Sequence, residues 1–335
     1  MQISVVIPTC NRKVRLLSLL HNLNQSSYPI DEVIIVDSGE DKLSVHDFSA
    51  FKNFRLRHVE SEKSVCIQRN IGIREATCDW IFLCDDDIEI GKDYIEKVVS
   101  HISSHPEARA VSGLWLQKEK EQWTATYPER SVLRLFWKFL FKLSIWGEIN
   151  CESNNFLLKS IKRFYSSRGN HLSEAGWPIL TNFSGAYFLT PVYSLGASIV
   201  KRDWLLQSPF DEVLDRHGIG DNYGVIAGFP ETVVHVVNSA LVYHHREETN
   251  RLHRPLQYYR RAIALDYFIK SKQNLKKIKK SWLLWSLTGN LIEFIISGQK
   301  NMIRPALKSI WKIATGQNPY FEAAQQQKKV KEIFL

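Results

Sequence analysis

Short apolar runs alternate with segments of helical periodicity over the first 90 residues of the chain. This pattern predicts strands at Ile3–Ile7, Glu32–Asp37, Phe54–Val59 and Trp80–Leu83, and helices at Lys13–Asn24 and Ser64–Ala76. Strands that alternate with helices favour a mostly parallel sheet with helices on both faces, so we predict an α/β fold. Ligands of such sheets bind beyond the carboxyl ends of the strands, which directs attention to Thr9–Arg12, Asp37–Glu40 and Asp85–Asp87.

The later part of the chain divides into three stretches. Residues 120–180 lose the alternation and become aromatic, basic and irregular, which suggests an insertion that faces a second substrate. Strand and turn signals return from residue 193 and last until the run VVHVVNSALVYHH. Beyond about residue 251 the pattern is helical, so we predict a domain boundary between residues 250 and 251.

Charge and cysteine usage narrow the class of protein. The formal net charge of +9 indicates an anionic partner, which could be nucleic acid, a phosphorylated small molecule or an acidic lipid surface. The five cysteines include no CxxC pair, so we expect reduced thiols in a cytosolic compartment. The opening MQISVVIPTCNR has no basic leader or cleavage site, so it predicts a first strand rather than a signal peptide. The best apolar stretches, 132–146 and 282–296, are too short and too charged to predict a spanning helix.

The most informative segment places three carboxylates, Asp85, Asp86 and Asp87, directly after the apolar run WIFLC. Adjacent carboxylates in a partly buried site repel one another unless a cation balances them. Their hard oxygen ligands suit Mg²⁺ or Mn²⁺, together with the phosphates of a substrate. A solvated acidic turn is the alternative, but the position after a buried strand favours a metal site.

The segments VVIPTCNR, IIVDSGED, QRNIGI and FLCDDDIEI, in this order, closely resemble the inverting GT-A glycosyltransferases of family 2. The resemblance covers roughly residues 1–250 and implies a GT-A fold, with residues 1–115 binding a nucleotide sugar and residues 116–250 facing the acceptor. It implies that Asp85 and Asp87 are the DxD metal pair, with Asp85 also towards the ribose, whereas we expect Asp86 to point away. The nucleotide-binding residues it implies are Pro8, Thr9, Asp37, Arg69 and Asp85.

Some of these residues have other interpretations. A carboxylate at Asp37 can accept a hydrogen bond from the ring N–H of uracil or guanine, but DSGED also fits an ordinary turn. A guanidinium at Arg69 suits base stacking and anion pairing, although it could be a surface arginine on a helix.

The segments LGASIVKRDWL, FDEVLD and GIGDNYG resemble the family's acceptor side, and they imply Asp221 as the general base. The family usually has Glu-Asp where this chain has Gly220-Asp221. Asp211 and Asp215 are alternative bases, and a helix cap or a turn is the structural alternative for Asp221. In several members of the family a histidine near His244 completes the metal or diphosphate site. Imidazole suits Mn²⁺, so we predict His244, rather than His245, as a metal ligand.

The C-terminal third is basic and aromatic. Six lysines between residues 270 and 280 precede the segment Trp282–Trp285, which is typical of a helix in the membrane interface. In the segment 132–146, Arg134, Lys138 and Lys142 share one stripe beside an apolar face of Leu133, Phe136, Trp137, Leu140 and Phe141. Core-packing helices or a dimer interface are the alternatives. The sequence has no RRM, zinc-ligand or helix-turn-helix signature, so we expect no nucleic-acid partner.

These features predict a metal-dependent, inverting transfer of a sugar from a nucleotide diphosphate, with a UDP-sugar favoured. We expect a glycan or lipid-linked acceptor and a peripheral location on the cytoplasmic face of a membrane, with an anionic surface as partner. One alternative is a sugar nucleotidyltransferase, which normally has a Gly- and Lys-rich phosphate loop where this chain reads PTCNRK. The other is a non-catalytic relative that retains the nucleotide pocket.

Overall fold

The computed structural model describes residues 1–41, 43–152, 155–245 and 252–326. The strands are β1 Ile3–Thr9, β2 Glu32–Asp37, β3 Arg55–Glu60, β4 Trp80–Cys84, β5 Ile88–Ile90, β6 Ala110–Glu119, β7 Gln122–Thr124, β8 Ile145–Trp146, β9 His171–Leu172, β10 Pro178–Leu180, β11 Tyr187–Thr190, β12 Ala197–Lys201 and β13 Val234–His244. The helices are α1 Lys13–Asn24, α2 Val45–Phe48, α3 Val65–Glu75, α4 Tyr94–Ser104, α5 Val132–Phe141, α6 Phe156–Arg168, α7 Arg202–Gln207, α8 Asp221–Ile226, α9 Arg254–Ser271, α10 Lys280–Ile296, α11 Lys300–Thr315 and α12 Pro319–Gln325. The six elements predicted over residues 1–90 are all present, with ends that shift by two residues at most.

One ten-stranded sheet forms the centre of the protein, with the strand order β11-β13-β6-β12-β4-β1-β2-β3 and β5 and β7 beside it. Strands β3, β2, β1 and β4 are parallel, so their carboxyl ends lie at one edge. Strand β12 runs antiparallel between β4 and β6. The α/β fold with flanking helices and a helical C-terminal part is therefore confirmed.

Strand β1 is buried on both faces, as its mainly apolar sequence predicts. Ile3, Val5 and Ile7 belong to the core between the sheet and helices α1 and α4. Val6 points to the opposite core, where helix α3 lies against it. A Cβ at Gly72 would come within 2.3 Å of Val6 Cγ1, so this glycine allows α3 to approach the sheet closely.

Two antiparallel pairings bring distant segments to the end of β4. The pairing of β12 with β4 places Ala197 opposite Cys84, so Gly196 lies beside Asp85. The pairing of β13 with β5 places His244 opposite Ile88, immediately after the three aspartates. The sheet thus fixes which residues from 196–244 can reach the carboxylates of residues 85–87.

The irregular segment predicted at 120–180 forms a subdomain of its own. Strands β8, β9 and β10 make a three-stranded sheet, and helices α5 and α6 pack with it around a small core. Leu135 and Phe141 of α5 are buried, whereas Leu133, Phe136 and Leu140 are exposed. Part of the predicted apolar face of this helix is therefore free, and part of it packs.

The C-terminal helices share a hydrophobic core with the central sheet. Tyr259 and Phe268 of α9 and Tyr320 of α12 belong to the same buried cluster as Val6 and Phe210. The predicted boundary at residues 250 and 251, and residues 327–335 of the predicted helical region, lie outside the described residues. Within the described part of the chain, no helix has the length and apolar character needed to cross a membrane.

Candidate functional site

The main cleft lies beyond the carboxyl ends of β1 and β4 and encloses about 420 Å³. Predicted site residues from five segments line it: Pro8, Thr9, Arg69, Asp85, Asp87, Asp221 and His244. These positions span most of the sequence, and the sheet topology brings them together. The cleft therefore has the composition of a polar site at the edge expected for an open α/β sheet.

The three aspartates all face the cleft, although Asp86 was expected to point away. Asp86 and Asp87 form a turn rather than continuing the strand, so the alternation of side chains ends at Cys84. The Thr9 hydroxyl donates a 2.7 Å hydrogen bond to Asp86 Oδ2. Asp86 thus faces the end of β1 inside the cleft.

Arg12 neutralises two of these carboxylates. Its Nη1 lies 2.7 Å from Asp86 Oδ1 and 3.2 Å from Asp87 Oδ2. Burial raises the pKa of Asp86 to about 6, and the repulsion of Asp87 adds to this, although Arg12 and Thr9 oppose it. The guanidinium therefore reduces the repulsion between the neighbouring carboxylates.

Arg69 joins the end of β4 to the loop before α8. This buried guanidinium pairs with Asp221 through Nη1 and with Asp85 Oδ1 at 2.5 Å through Nη2. Burial alone would lower the pKa of Arg69, but the two carboxylates raise it. Its guanidinium also lies over the Phe210 ring at 5.1 Å. Arg69 is therefore a fixed, charged bridge rather than a surface arginine.

Asp221 begins helix α8 at the end of a glycine-containing loop. Gly218 and Gly220 have φ values of 59° and 97°, a region that glycine adopts without strain. The Asp221 carboxylate accepts a 2.6 Å hydrogen bond from the Asn222 N–H. Burial raises the pKa of Asp221, and the charge of Arg69 opposes this. The carboxylate thus lies in the cleft with one oxygen near Arg69 and the other at the start of the helix.

The two alternative bases, Asp211 and Asp215, lie outside the residues that line the cleft. Asp215 is fully buried, with its Oδ1 2.6 Å from Arg260 Nη1 and its Oδ2 3.1 Å from the Tyr320 hydroxyl. Asp211 pairs with Lys272 Nζ at 2.7 Å. Both carboxylates attach the loop before α8 to the C-terminal helices, which is a structural function.

His244 ends β13 with its Nε2 3.4 Å from Asp87 Oδ1 and its ring 5.0 Å from that of Trp115. Its Nδ1 is buried and has no hydrogen-bond partner in the described part of the chain. His245 points elsewhere and lies 2.7 Å from Glu89 Oε2. Among the described residues, no group of three or more His, Cys, Asp or Glu side chains is arranged to hold a metal ion.

Asp37 is buried at the end of β2, next to Thr9 in the strand register, but it does not line the cleft. Its Oδ1 accepts a 2.8 Å hydrogen bond from the Gly39 N–H, as in the turn that DSGED allows. Its Oδ2 lies 3.5 Å from His58 Nε2. The contact of Asp37 with a base stays a prediction.

The family model described as Glycosyl transferase family 2 matches residues 4–165, which include Arg12, Arg69 and Asp85–Asp87. The matched segment, slightly under half of the chain, is a glycosyltransferase family 2 domain. The chain is therefore a transferase enzyme, as the resemblance implied.

Curated relatives of this chain are also named as glycosyltransferases. It is 26% identical over 283 residues to the uncharacterized glycosyltransferase YwdF of Bacillus subtilis (strain 168), covering 76% of this chain and 100% of the relative. It is 31% identical over 243 residues to the uncharacterized glycosyltransferase YfnE of the same organism, covering 66% of this chain and 58% of the relative. Neither name specifies a donor or an acceptor.

Solved structures show the fold of the glycosyltransferase. S. aureus TarS 1-349 in complex with UDP-GlcNAc has a TM-score of 0.51 and 11% identity, covering 100% of this chain and 95% of that chain. GalNAc-T7 with UDP, GalNAc and Mn²⁺ has a TM-score of 0.52 and 14% identity, covering 87% of this chain and 54% of that chain. These likenesses confirm the GT-A type of fold.

Sequence reasoning gave no role to three residues that shape the glycosyltransferase site. Arg12 lies three positions after the end of β1. Its position at the end of the motif VVIPTCNR is the sequence feature that could have identified it. Gln68 Nε2 donates to Thr9 O at 2.7 Å and to Val36 O at 2.8 Å, which joins the ends of β1 and β2. A Cβ at Gly196 would lie 2.1 Å from Asp85 Oδ2, so this position requires glycine for close approach.

Proposed function

We propose that this glycosyltransferase moves a sugar from a nucleotide-diphosphate donor, with a UDP-sugar favoured, to a hydroxyl of a glycan or lipid-linked acceptor. The transfer is inverting and metal-assisted, and the protein works as a peripheral enzyme on the cytoplasmic face of a membrane. Its product is a glycolipid, a cell-envelope polysaccharide or a similar glycan.

The observation that carries this proposal is the convergence of Asp85, Asp87, Asp221 and His244 on one cleft. Arg69 lies between the carboxylates of Asp85 and Asp221, so a candidate donor-site residue and the candidate base are both within reach of one guanidinium. A transferase needs this proximity because the leaving group and the attacking hydroxyl meet at one carbon atom. A sugar nucleotidyltransferase would not need an acceptor base.

A nucleotide diphosphate fits the charge of the cleft. Besides Arg12 and Arg69, three further cationic side chains line it: Lys63, Arg216 and Arg261. Arginine and lysine bind phosphate oxygens through charge-assisted hydrogen bonds. The UDP and UDP-GlcNAc named for the structures of similar fold support a uridine nucleotide.

The residues of the cleft fit a divalent cation only in part. Asp87 and His244 face each other and provide an oxygen and an imidazole, and the buried His244 Nδ1 has no hydrogen-bond partner among the described residues. Together with Asp85 these make three side chains, which do not fill the coordination of Mg²⁺ or Mn²⁺, so the diphosphate would provide further oxygens. Asp85 and Asp87 are the carboxylates that would hold the ion. When bound, it would offset the negative charge that develops on the departing diphosphate.

Inversion requires a base on the side of the sugar opposite the leaving group. The acceptor oxygen forms a bond to the anomeric carbon, while the bond from that carbon to the phosphate oxygen breaks and its electron pair leaves with the diphosphate. Asp221 takes the proton of the acceptor hydroxyl. Burial raises the pKa of Asp221, which makes its carboxylate a stronger base than an exposed aspartate. Arg69 keeps this carboxylate ionised before the acceptor binds.

Calorimetric titration of UDP, GDP and dTDP, with and without Mn²⁺, tests the donor site. We expect one nucleotide to bind in a metal-dependent manner. The Asp87→Ala variant should lower the affinity for this nucleotide by about tenfold or more, because a ligand of the metal is lost. Asp93→Ala is the control, since Asp93 pairs with Lys97 on the surface nearby in sequence. If none of the three nucleotides binds the wild-type protein, the assignment of the donor site is wrong, and the alternative that the protein is a non-catalytic relative is favoured.

The membrane part of the proposal rests on an exposed apolar surface beside basic residues. Leu133, Phe136 and Leu140 of α5 are exposed, as are Trp282 and Trp285 of α10. Helices α5 and α10 are joined because Trp285 Nε1 donates to Leu140 O at 2.9 Å. Tryptophan beside lysine suits an anionic lipid surface.

The predicted lysine cluster beside this surface is only partly available to lipid. Lys270 and Lys272 pair with Asp266 and Asp211 at 3.7 and 2.7 Å, and Lys272 is largely buried. Lys276, Lys277 and Lys279 are exposed just before α10. Three lysines thus stay in the proposed contact with anionic head groups.

Sedimentation with phospholipid vesicles tests the membrane contact. At low salt we expect the protein to pellet with phosphatidylglycerol vesicles and to remain in the supernatant with phosphatidylcholine vesicles. Leu133→Ser should reduce the pelleted fraction because it removes apolar contact with the lipid. Val14→Ser is the matched control, since Leu133 and Val14 are each 82% exposed on a helix. Equal losses in both variants, or no binding by the wild type, would contradict the proposal.

A further inference from the structure

A second cavity opens beside the main cleft, and the proposed donor site does not use its aromatic wall. It encloses about 400 Å³ and has Asp85 and His244 in its wall, which also line the cleft. The two cavities therefore meet at these two side chains. The rest of its wall is mainly aromatic and includes Trp115, Tyr127, Trp146 and Tyr193.

The aromatic wall is held in place by contacts of its own. The rings of Trp146 and Tyr193 stack with their centroids 5.7 Å apart. Trp146 Nε1 donates to Ala125 O at 3.2 Å, and the buried Tyr193 hydroxyl accepts from the Trp115 N–H at 3.1 Å. The rings are thus oriented before any ligand arrives, which reduces the entropy lost on binding.

The chemistry of this wall suits a sugar ring. Gln117 and Thr124 add an amide and a hydroxyl to the aromatic surfaces. The C–H face of a sugar can lie on an aromatic ring while its hydroxyls reach the few polar groups of such a pocket. A sugar in this cavity would lie next to Asp85 and His244, where transfer is proposed to occur.

A third cavity continues this one away from the cleft. It encloses about 740 Å³ and shares Thr124, Tyr127 and Trp146 with the aromatic cavity. Four cationic side chains line it, against two acidic ones: Lys120, Arg130, Arg134 and Lys138, with Glu119 and Glu129. The cavity therefore has an excess of positive charge.

Two of these cations have an ion-pair partner among the described residues, and two have none there. The buried Glu129 carboxylate pairs with Lys138 Nζ at 2.7 Å and with Arg134 Nε at 3.7 Å. Lys120 and Arg130 form no ion pair with the described residues of the chain. These two side chains leave charge available for an anionic ligand.

We propose that the aromatic and cationic cavities form one acceptor groove, which binds a sugar that carries a phosphate ester. The sugar ring lies in the aromatic cavity beside Asp85 and His244, and the phosphate lies in the cationic cavity near Lys120 and Arg130. This proposal rests on the glycosyltransferase function proposed above and names the chemical class of its acceptor.

The position of the groove distinguishes the acceptor from the donor. The phosphates of the donor are proposed to bind in the cleft, where Lys63, Arg216 and Arg261 lie. The cationic cavity shares none of its lining residues with that cleft, so its charge serves a different anion. The aromatic cavity lies between the two and has residues in common with each.

Ligand-observed NMR by saturation transfer tests the groove with a panel of hexose 1-phosphates and the corresponding free hexoses. The protein is first saturated with the nucleotide identified by calorimetry and with diamagnetic Mg²⁺ in place of Mn²⁺, so that the probes do not occupy the cleft and their signals are not broadened. We expect the phosphates to bind more tightly than the free sugars. The Arg130→Gln variant should lower the affinity for a hexose 1-phosphate by about tenfold, because it removes a charge-assisted contact. Its affinity for the free hexose should not change.

Arg55→Gln is the control, since Arg55 is exposed on β3 at the opposite edge of the sheet. A second variant, Trp146→Phe, should lower the affinity for both the sugar phosphates and the free sugars, because it reduces the aromatic surface but not the charge. The proposal that this groove binds the acceptor would be wrong if the wild type and both groove variants, Arg130→Gln and Trp146→Phe, bound every probe with equal affinity.

The failure of this proposal can be distinguished from that of the donor site. Metal-dependent nucleotide binding without any effect of Arg130 or Trp146 on the sugar phosphates would leave the donor site intact and reject the groove. If no nucleotide binds, the donor proposal fails, and the same variants, without nucleotide, still report on the groove.

The source of the phosphate is then decided with a decyl ester of the bound sugar phosphate. Tighter binding of the decyl ester, reduced by Leu133→Ser, would indicate a lipid-linked acceptor that lies along α5. Equal binding of the ester and the free sugar phosphate would indicate a soluble or polymeric one.

Discussion

The Asp221→Asn variant is expected to bind the nucleotide normally and to lose about 10²–10⁴-fold in kcat. The amide has nearly the shape of the carboxylate and keeps a hydrogen-bonding oxygen for the Asn222 N–H, so the loop before α8 should hold. It cannot accept the proton of the acceptor hydroxyl. The measurement is steady-state transfer kinetics with the donor identified by calorimetry, together with the nucleotide affinity of the variant.

Asp211→Asn is the control, because Asp211 was the alternative base and pairs with Lys272 outside the cleft. We expect its kcat to remain within about threefold of the wild type, since it contacts neither substrate. A normal kcat in Asp221→Asn with a large loss in Asp211→Asn would reverse the two assignments. A loss of nucleotide binding in Asp221→Asn would instead mean that Asp221 belongs to the donor site.

The Arg69→Met variant is expected to lose about 3–5 kcal/mol of unfolding free energy, because it leaves two largely buried carboxylates without their common cation. Arg69 is 5% exposed at its side chain, and its partners Asp85 and Asp221 are 26% and 11% exposed. The measurement is the urea midpoint with the slope of the transition. The double variant Arg69→Met with Asp221→Asn should be more stable than Arg69→Met alone, since one of the unpaired charges is gone.

Arg57→Met is the matched control for this prediction. Arg57 also pairs with a carboxylate, that of Glu75, but the two side chains are 41% and 44% exposed. An exposed pair of this kind contributes about 0–1 kcal/mol. If Arg69→Met costs no more than Arg57→Met, the buried bridge between β4 and the loop before α8 does not stabilise the fold.

Most elements of the first 90 residues follow from local pattern, because β1, β2 and β4 contain runs of three or more apolar residues and α1 repeats its leucines at helical spacing. Strand β1 is buried along its whole length, which leaves a mainly apolar run as its signature. The insertion at 120–180 could not be predicted in the same way, because its strands have two or three residues each. Such short strands are defined by their partners rather than by their own sequence.

The candidate site was predictable where a motif adjoins a strand. Asp85, Asp87 and Arg69 were identified from FLCDDDIEI and QRNIGI, and each of them lines the cleft. The contrary expectation for Asp86 was wrong, because it assumed that the extended backbone continues beyond Cys84. The two turn residues that follow the strand reversed the direction of this side chain.

The sequence by itself determined the parallel α/β half, the order of its motifs and the carboxylates at the end of β4, since all of these depend on neighbours within a few residues. Only the tertiary structure decided which distant groups meet there. Asp221 reaches Arg69 across 152 positions, and Gly196 reaches Asp85 because β12 inserts antiparallel beside β4. The groove that joins the aromatic cavity to Arg130 depends equally on the fold. Contacts of this kind arise from strand pairing and core packing between remote segments, which local periodicity does not record.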